Sequence, residues 1–177
     1  MSQFGLALPS VSLSLLFVRV ITSKCRIASR LDSCFTLPFE FAVPDLLNAR
    51  ELAEFGGPQL VARGLRVEEL TSEEVVIAQK VRTAHPKLSL PDAFAYALAS
   101  QRNWTLLSGD GELRALAQTQ KVSCFGLLWL LDQLFDGEGI DAATIIKGLE
   151  TLAAHLRCRL PRAEIQARLE RYRQRKK

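Results

Sequence analysis

Apolar and polar positions along the chain keep switching between a period of two and a period near three and a half. Leu13–Ile21 (LSLLFVRVI) is apolar and β-branched, as a buried strand should be, and Phe39–Val43 (FEFAV) alternates until Pro44 stops it. From Asp45 to Phe55 the residues Leu46, Leu47, Ala49, Leu52, Ala53 and Phe55 recur at helical spacing, before Gly56, Gly57 and Pro58. Leu65–Leu70 predicts a short strand. Thr71 and Glu74 then form a capping box for a helix that ends before Pro86. Ser89 and Asp92 form a second box, whose helix runs to Asn103. Next come the strand Trp104–Leu107, the turn Ser108–Gly111, a helix through Leu113–Gln118, the strand Val122–Phe125 and the helix Leu127–Phe135. Gly137 and Gly139 break the chain, and two amphipathic helices follow, from about Asp141 to Leu156 and from about Pro161 onward.

Strands alternating with helices imply βαβ units. The expected fold class is therefore α/β, a mostly parallel central sheet of about five strands with helices on both faces, plus C-terminal helices. No internal repeat or low-complexity linker divides the 177 residues, so one domain over residues 1–160 is expected, followed by a basic C-terminal helix or tail over 161–177.

Charge refines this picture. The net charge is +4, but the nine basic residues from Arg157 to Lys177 against Glu164 and Glu170 give +7, which leaves about −3 for the rest. The basic character is C-terminal. That segment could grip RNA phosphates or be a solvated helix end that complements the helix dipole. Cys25, Cys34, Cys124 and Cys158 show no zinc or disulfide spacing and read as free thiols of a soluble, cytoplasmic protein. Leu13–Val18 is too short for a membrane span, and Met1–Leu8 has no Lys or Arg to start a signal peptide, so no membrane association is expected.

In such a sheet, ligands bind beyond the carboxyl ends of the strands. Asp110 follows the strand WTLL there, Asp92 lies in the first turn of the preceding helix, and Glu51 sits after the strand FEFAV. Three carboxylates on one rim would suit Mg²⁺ or Mn²⁺ and phosphodiester hydrolysis. Each also has a plainer reading. Asp92 fits the N3 acid of a capping box, Asp110 a turn residue between glycines, and Glu51 a surface charge beside Arg50. His85 and His155 stand alone, and Trp104 and Trp129 read as core residues.

The stretch LSLPDAFAYALASQRNWTLLSGDGELRALAQ resembles the core of a PIN domain, with a helix-borne Asp ahead of a strand that ends in a "TGD"-like acid. FEFAVPDLLNAREL resembles that family's second strand and Glu-bearing helix, and VSCFGLLWLLDQL the strand, Gly and helix after its last acid. The likeness covers roughly Leu37 to Leu160 and points to prokaryotic PIN proteins, including VapC-type toxin ribonucleases. It implies Mg²⁺- or Mn²⁺-dependent RNA hydrolysis with Asp92, Asp110 and Glu51 as catalytic and metal-binding acids. RNA, an antitoxin protein and a homodimer partner are the implied companions.

The family places its first acid at the end of the first strand. Here Ile21–Ile27 hold none, and Thr22, Ser23 and Lys24 occupy that place. A shifted reading frame or a wrongly chosen start ahead of about Leu37 would produce such a step. Two readings follow: a metal-dependent ribonuclease, or a degenerate PIN domain that binds RNA or protein without cutting. A third, an unrelated nucleotide-binding α/β domain, lacks the GxGxxG and GxxxxGK[ST] patterns.

Overall fold

A computed structural model describes residues 33–52, 57–137, 140–154 and 160–175, together with the backbone of 13–18. Its strands are β1 (Leu13–Val18), β2 (Phe39–Pro44), β3 (Arg66–Glu68), β4 (Thr105–Ser108) and β5 (Cys124–Phe125), in the order β3-β2-β1-β4-β5. All the strand pairs are parallel. The order reverses between β1 and β4. Parallel sheets of this kind open their binding crevice at that reversal, on the carboxyl edge.

Side-chain alternation assigns the two faces. Phe41 and Val43 of β2 and Leu107 of β4 enter one core, while Ala42 and Leu106, their neighbours in sequence, enter the other. The first core is closed by α6 (Leu127–Asp136), α7 (Ala142–Ala154) and α8 (Arg162–Arg175) through Leu130, Leu134, Leu149, Leu169 and Tyr172. The second is closed by α4 (Leu90–Arg102) and α5 (Gly111–Thr119) through Ala95, Leu98, Leu113 and Leu116. Behind α4 lies α3 (Ser72–Ala84), where Ala78, Ala93 and Ala97 allow close helix approach. The expected mixed α/β architecture is thus present, and α8 packs into the main core with its Ile165, Leu169 and Tyr172 buried. Each fully buried leucine of this kind contributes about 1.5–3 kcal/mol.

Local signals explain most boundaries. Thr71 Oγ1 accepts from Glu74 N at 3.3 Å while Glu74 Oε2 accepts from Thr71 N at 2.8 Å, the expected capping box of α3. Asn103 ends α4 in the left-handed region at φ 54°, where Asn is tolerated.

One expectation is corrected. The predicted helix over Asp45–Phe55 is instead a single turn, α1 (Asp45–Leu47), running into a π-turn over Asn48–Leu52. A new helix, α2 (Gly57–Ala62), begins where only a break was expected. Gly57 explains the crossing: a β-carbon there would stand 2.9 Å from Leu52 O and 3.1 Å from Asn48 Oδ1. A side chain at that point would force the two segments apart, and Pro58 fits the first turn of α2 because its missing N–H is not needed there.

Candidate active site

A helix that precedes a parallel strand through a short loop runs antiparallel to it. The N-terminus of α4 therefore lies at the carboxyl edge of β4, the edge from which Ser108, Gly109 and Asp110 leave. Asp92, near the start of α4, and Asp110, two residues past β4, share that edge. Glu51 follows β2 on the π-turn, which leaves the sheet at the same edge; its backbone is described but not its side chain. Thr22, Ser23 and Lys24 lie outside the described residues, as do Cys25, Asp32 and His155.

Asp92 is 1% exposed. The Ser89 hydroxyl caps α4 by accepting from Asp92 N at 3.2 Å, and it donates to Asp92 Oδ2 in a short hydrogen bond. Burying a carboxylate this deeply is costly, far more so than a cap on a solvated helix requires. The plain capping role accounts for the hydrogen bond to Ser89 but not for the burial.

Asp110 adopts ordinary extended angles, φ −78° and ψ 126°, so its flanking glycines do not mark a strained turn. It is the N-cap of α5, with Oδ1 accepting from Leu113 N at 2.9 Å, and Ser108 Oγ accepts from Asp110 N at 3.0 Å. Ser108 itself is fully buried. The capping bond fixes the carboxylate's orientation, and Oδ2 receives no hydrogen bond from the described residues.

His85 and Glu112 border the same edge, with Nδ1 to Oε1 at 3.6 Å, at the C-cap of α3 and the first turn of α5. His85 is thus less isolated than its sequence position suggests. Cys34 and Cys124 are free thiols, as expected, and burial pushes the Cys124 thiol up from its ordinary value.

The oxygen-only chemistry of Asp92 and Asp110 fits a hard divalent cation. Two carboxylates are a partial donor set, however. Among the described residues no group of three or more His, Cys, Asp or Glu side chains stands where it could hold a metal ion. A site would need Glu51, or groups beyond the described residues, to complete it.

The basic tail has a different destination from the acidic edge. Arg168 pairs with Asp132 at 2.9 Å, Arg171 with Asp136 at 2.5 Å, and Arg173 with Glu150 at 2.7 Å. The surplus charge of α8 is thus matched to acids on α6 and α7, which fits the slightly acidic remainder of the chain. Trp129 stacks on Phe125 with centroids 4.3 Å apart and Trp104 lies beneath Arg102, so both tryptophans are packing residues.

The sheet is parallel, its strand order reverses between β1 and β4, and Asp92 and Asp110 lie on its carboxyl edge. Residues 26–174 match DUF3368, a PIN domain, and the chain belongs to that family. The match begins at Arg26, ahead of the Leu37 boundary read from sequence, and takes in most of α8. No curated protein and no solved structure matches the chain. Among the described residues no helix is long and apolar enough to cross a membrane.

Proposed function

We propose that the chain is a metal-dependent ribonuclease, with Asp92, Asp110 and Glu51 holding Mg²⁺ or Mn²⁺ at the carboxyl edge of the sheet. The burial of Asp92 on the same edge as the strand-end Asp110 supports this reading, because it sets a carboxylate where such sheets bind ligands. Held by these acids, a divalent ion would supply a water-derived nucleophile near neutral pH and offset charge on the cleaved phosphate. The chain's own contribution is to hold the acids: Ser89 fixes Asp92, and the α5 cap fixes Asp110. The likeness to VapC-type proteins supports a role as the toxin of a toxin–antitoxin pair, with an antitoxin partner and a homodimeric state, and the scattered free thiols support a cytoplasmic location.

A specific observation favours a second reading, a PIN domain that binds RNA or protein without cutting. Val18 is registered opposite Ser108, so the chain leaves β1 at the edge that carries Asp110. The next residues, Arg19 to Ile27, contain no carboxylate. One ligand fewer weakens a site for a hard cation, whose affinity follows ligand charge and number.

Cleavage of a fluorogenic RNA with Mn²⁺ or Mg²⁺ separates the two. Cutting that disappears with EDTA and in Asp110→Asn supports the nuclease. No cutting by the wild-type chain, with activity gained on Thr22→Asp or Ser23→Asp, supports the disabled domain.

A further inference from the structure

Arg114 lies one helical turn beyond Asp110, its N–H bonded to Asp110 O at 3.1 Å. It is exposed, and among the described residues its guanidinium makes no hydrogen bond or ion pair. Arg66, Arg102, Arg168, Arg171, Arg173 and Arg175, by contrast, all pair with carboxylates. The guanidinium reaches toward the strand ends: a β-carbon on Gly126 would stand 3.7 Å from Arg114 Nη1 and 3.8 Å from Ser108 O. Beside it runs an open groove of about 630 Å³ between α5 and β5, lined by Gly111, Arg114, Ala115, Gln118, Val122 and Cys124. Arg114 is the charged member of that lining. The exposed lining of the groove is more polar than apolar: Gln118 adds an amide, and Ala115, Val122 and the half-buried Cys124 thiol fill the rest.

We propose that this groove carries the sugar–phosphate backbone of a single-stranded RNA on one side of the cleaved bond, with Arg114 holding a phosphate next to the one cut. The inference rests on the ribonuclease reading and names the track of its substrate. One helical turn, about 5.4 Å, separates Arg114 from Asp110 along α5. An arginine at that remove, on a long flexible side chain, can reach a phosphate neighbouring the one beside Asp110. A guanidinium offers two parallel N–H donors to a phosphate, a fork that an ammonium cannot reproduce. The Gln118 amide can meet ribose hydroxyls or phosphate oxygens, and a cation on an otherwise uncharged lining favours an anionic ligand over a neutral one.

The test is fluorescence anisotropy of a 5′-fluorescein single-stranded RNA decamer in EDTA over a series of salt concentrations, with cleavage assayed in parallel. Arg114→Gln is expected to weaken binding about tenfold and to reduce the slope of log affinity against log salt by about one. Arg114→Lys should keep the slope and recover part of the affinity, while Arg162→Gln on α8 should change affinity less than about twofold. Gln118→Glu, an exposed helical substitution that keeps the fold, should weaken binding as Arg114→Gln does, and it decides the matter if Arg114→Gln lowers the melting temperature. RNA binding of wild-type strength and slope in both Arg114→Gln and Gln118→Glu would overturn the inference and leave the nuclease reading intact. A wild-type chain that neither binds nor cuts RNA would overturn both.

Discussion

The hydroxyl of the fully buried Tyr172 donates to Asp132 Oδ1 at 2.6 Å, and Arg168 and Arg171 close on the same carboxylate at 2.9 Å and 3.1 Å. This cluster fastens α8 to α6, and Phe135 stacks on the Tyr172 ring at 4.2 Å. Tyr172→Phe should lower stability by about 1–2 kcal/mol in chemical denaturation, since it leaves Asp132 short of a donor. Burial, and then the Asp132 carboxylate, push the Tyr172 phenol well above its ordinary 10.0. A group raised on folding contributes stability that is complete below its unfolded value and lost as pH rises beyond it. Wild-type stability should therefore fall more steeply above pH 10 than that of Tyr172→Phe. Equal slopes would show that Tyr172 is not held protonated by the fold.

Glu74 is buried, and its carboxylate is chelated by Arg102 through Nε at 2.7 Å and Nη2 at 2.9 Å, while also closing the α3 capping box. The Arg102 bonds, together with the Thr71 N–H, hold its pKa below the ordinary 4.5. A carboxyl lowered on folding contributes stability above its unfolded value and loses it as pH falls through the folded one. Glu74→Gln should thus cost about 2 kcal/mol at pH 7. The gap between mutant and wild type should shrink as pH drops below 4.5, which thermal melts from pH 7 to pH 3 would reveal.

The capping box around Glu74 was legible because all its determinants lie within four residues, Thr71 to Glu74. The strands β2 and β4 were legible for a similar reason: FEFAV and WTLL carry their period and branching locally. Asp45–Leu52 was not, because α- and π-turns share nearly the same apolar spacing, and the close approach of Gly57 to Leu52 O appears only in the folded chain. After Gly56 and Gly57 a proline signals a break in the chain, although its ring suits the opening of a helix equally well. The positions of Asp92 and Asp110 on the carboxyl edge were legible from strand-end position and helix capping. The burial of Asp92 was hidden because it depends on how α4 packs in the assembled fold. The fate of the basic tail was hidden for the same reason, since its partners Asp132, Asp136 and Glu150 precede it by more than twenty residues.

Ser89 and Asp92 give the metal proposal a readout that does not depend on catalysis. An ion that binds only the folded chain raises its melting temperature by mass action. Mn²⁺ should therefore raise the thermal midpoint of the wild type, and Asp92→Asn should abolish the rise while leaving the metal-free midpoint within a few degrees. Ser89→Ala should cost about 1 kcal/mol through the lost cap and diminish the Mn²⁺ effect, since Oδ2 loses the hydroxyl that orients it. A midpoint indifferent to Mn²⁺ in the wild type would count against a metal site at this edge.

Gly57 links the fold to the acid that the structure describes least. A β-carbon at this position would meet the Leu52 carbonyl at 2.9 Å and Asn48 Oδ1 at 3.1 Å. The Asn48 side chain can swing away, but Leu52 O belongs to the backbone of the π-turn and cannot move without shifting that turn. Gly57→Ala should therefore destabilise the chain by about 1–3 kcal/mol, the usual cost of overpacking a close contact. Because Glu51 directly precedes Leu52, the same shift should displace its backbone. If Glu51 joins Asp92 and Asp110 around a cation, Gly57→Ala should lose cleavage activity and the Mn²⁺-dependent rise in melting temperature together, even at temperatures where it is fully folded. Glu51→Gln, which leaves the turn in place, should reproduce those losses without the drop in metal-free stability. Gly57→Ala with reduced stability but an undiminished Mn²⁺ response would remove Glu51 from the site and leave Asp92 and Asp110 to find their third ligand elsewhere.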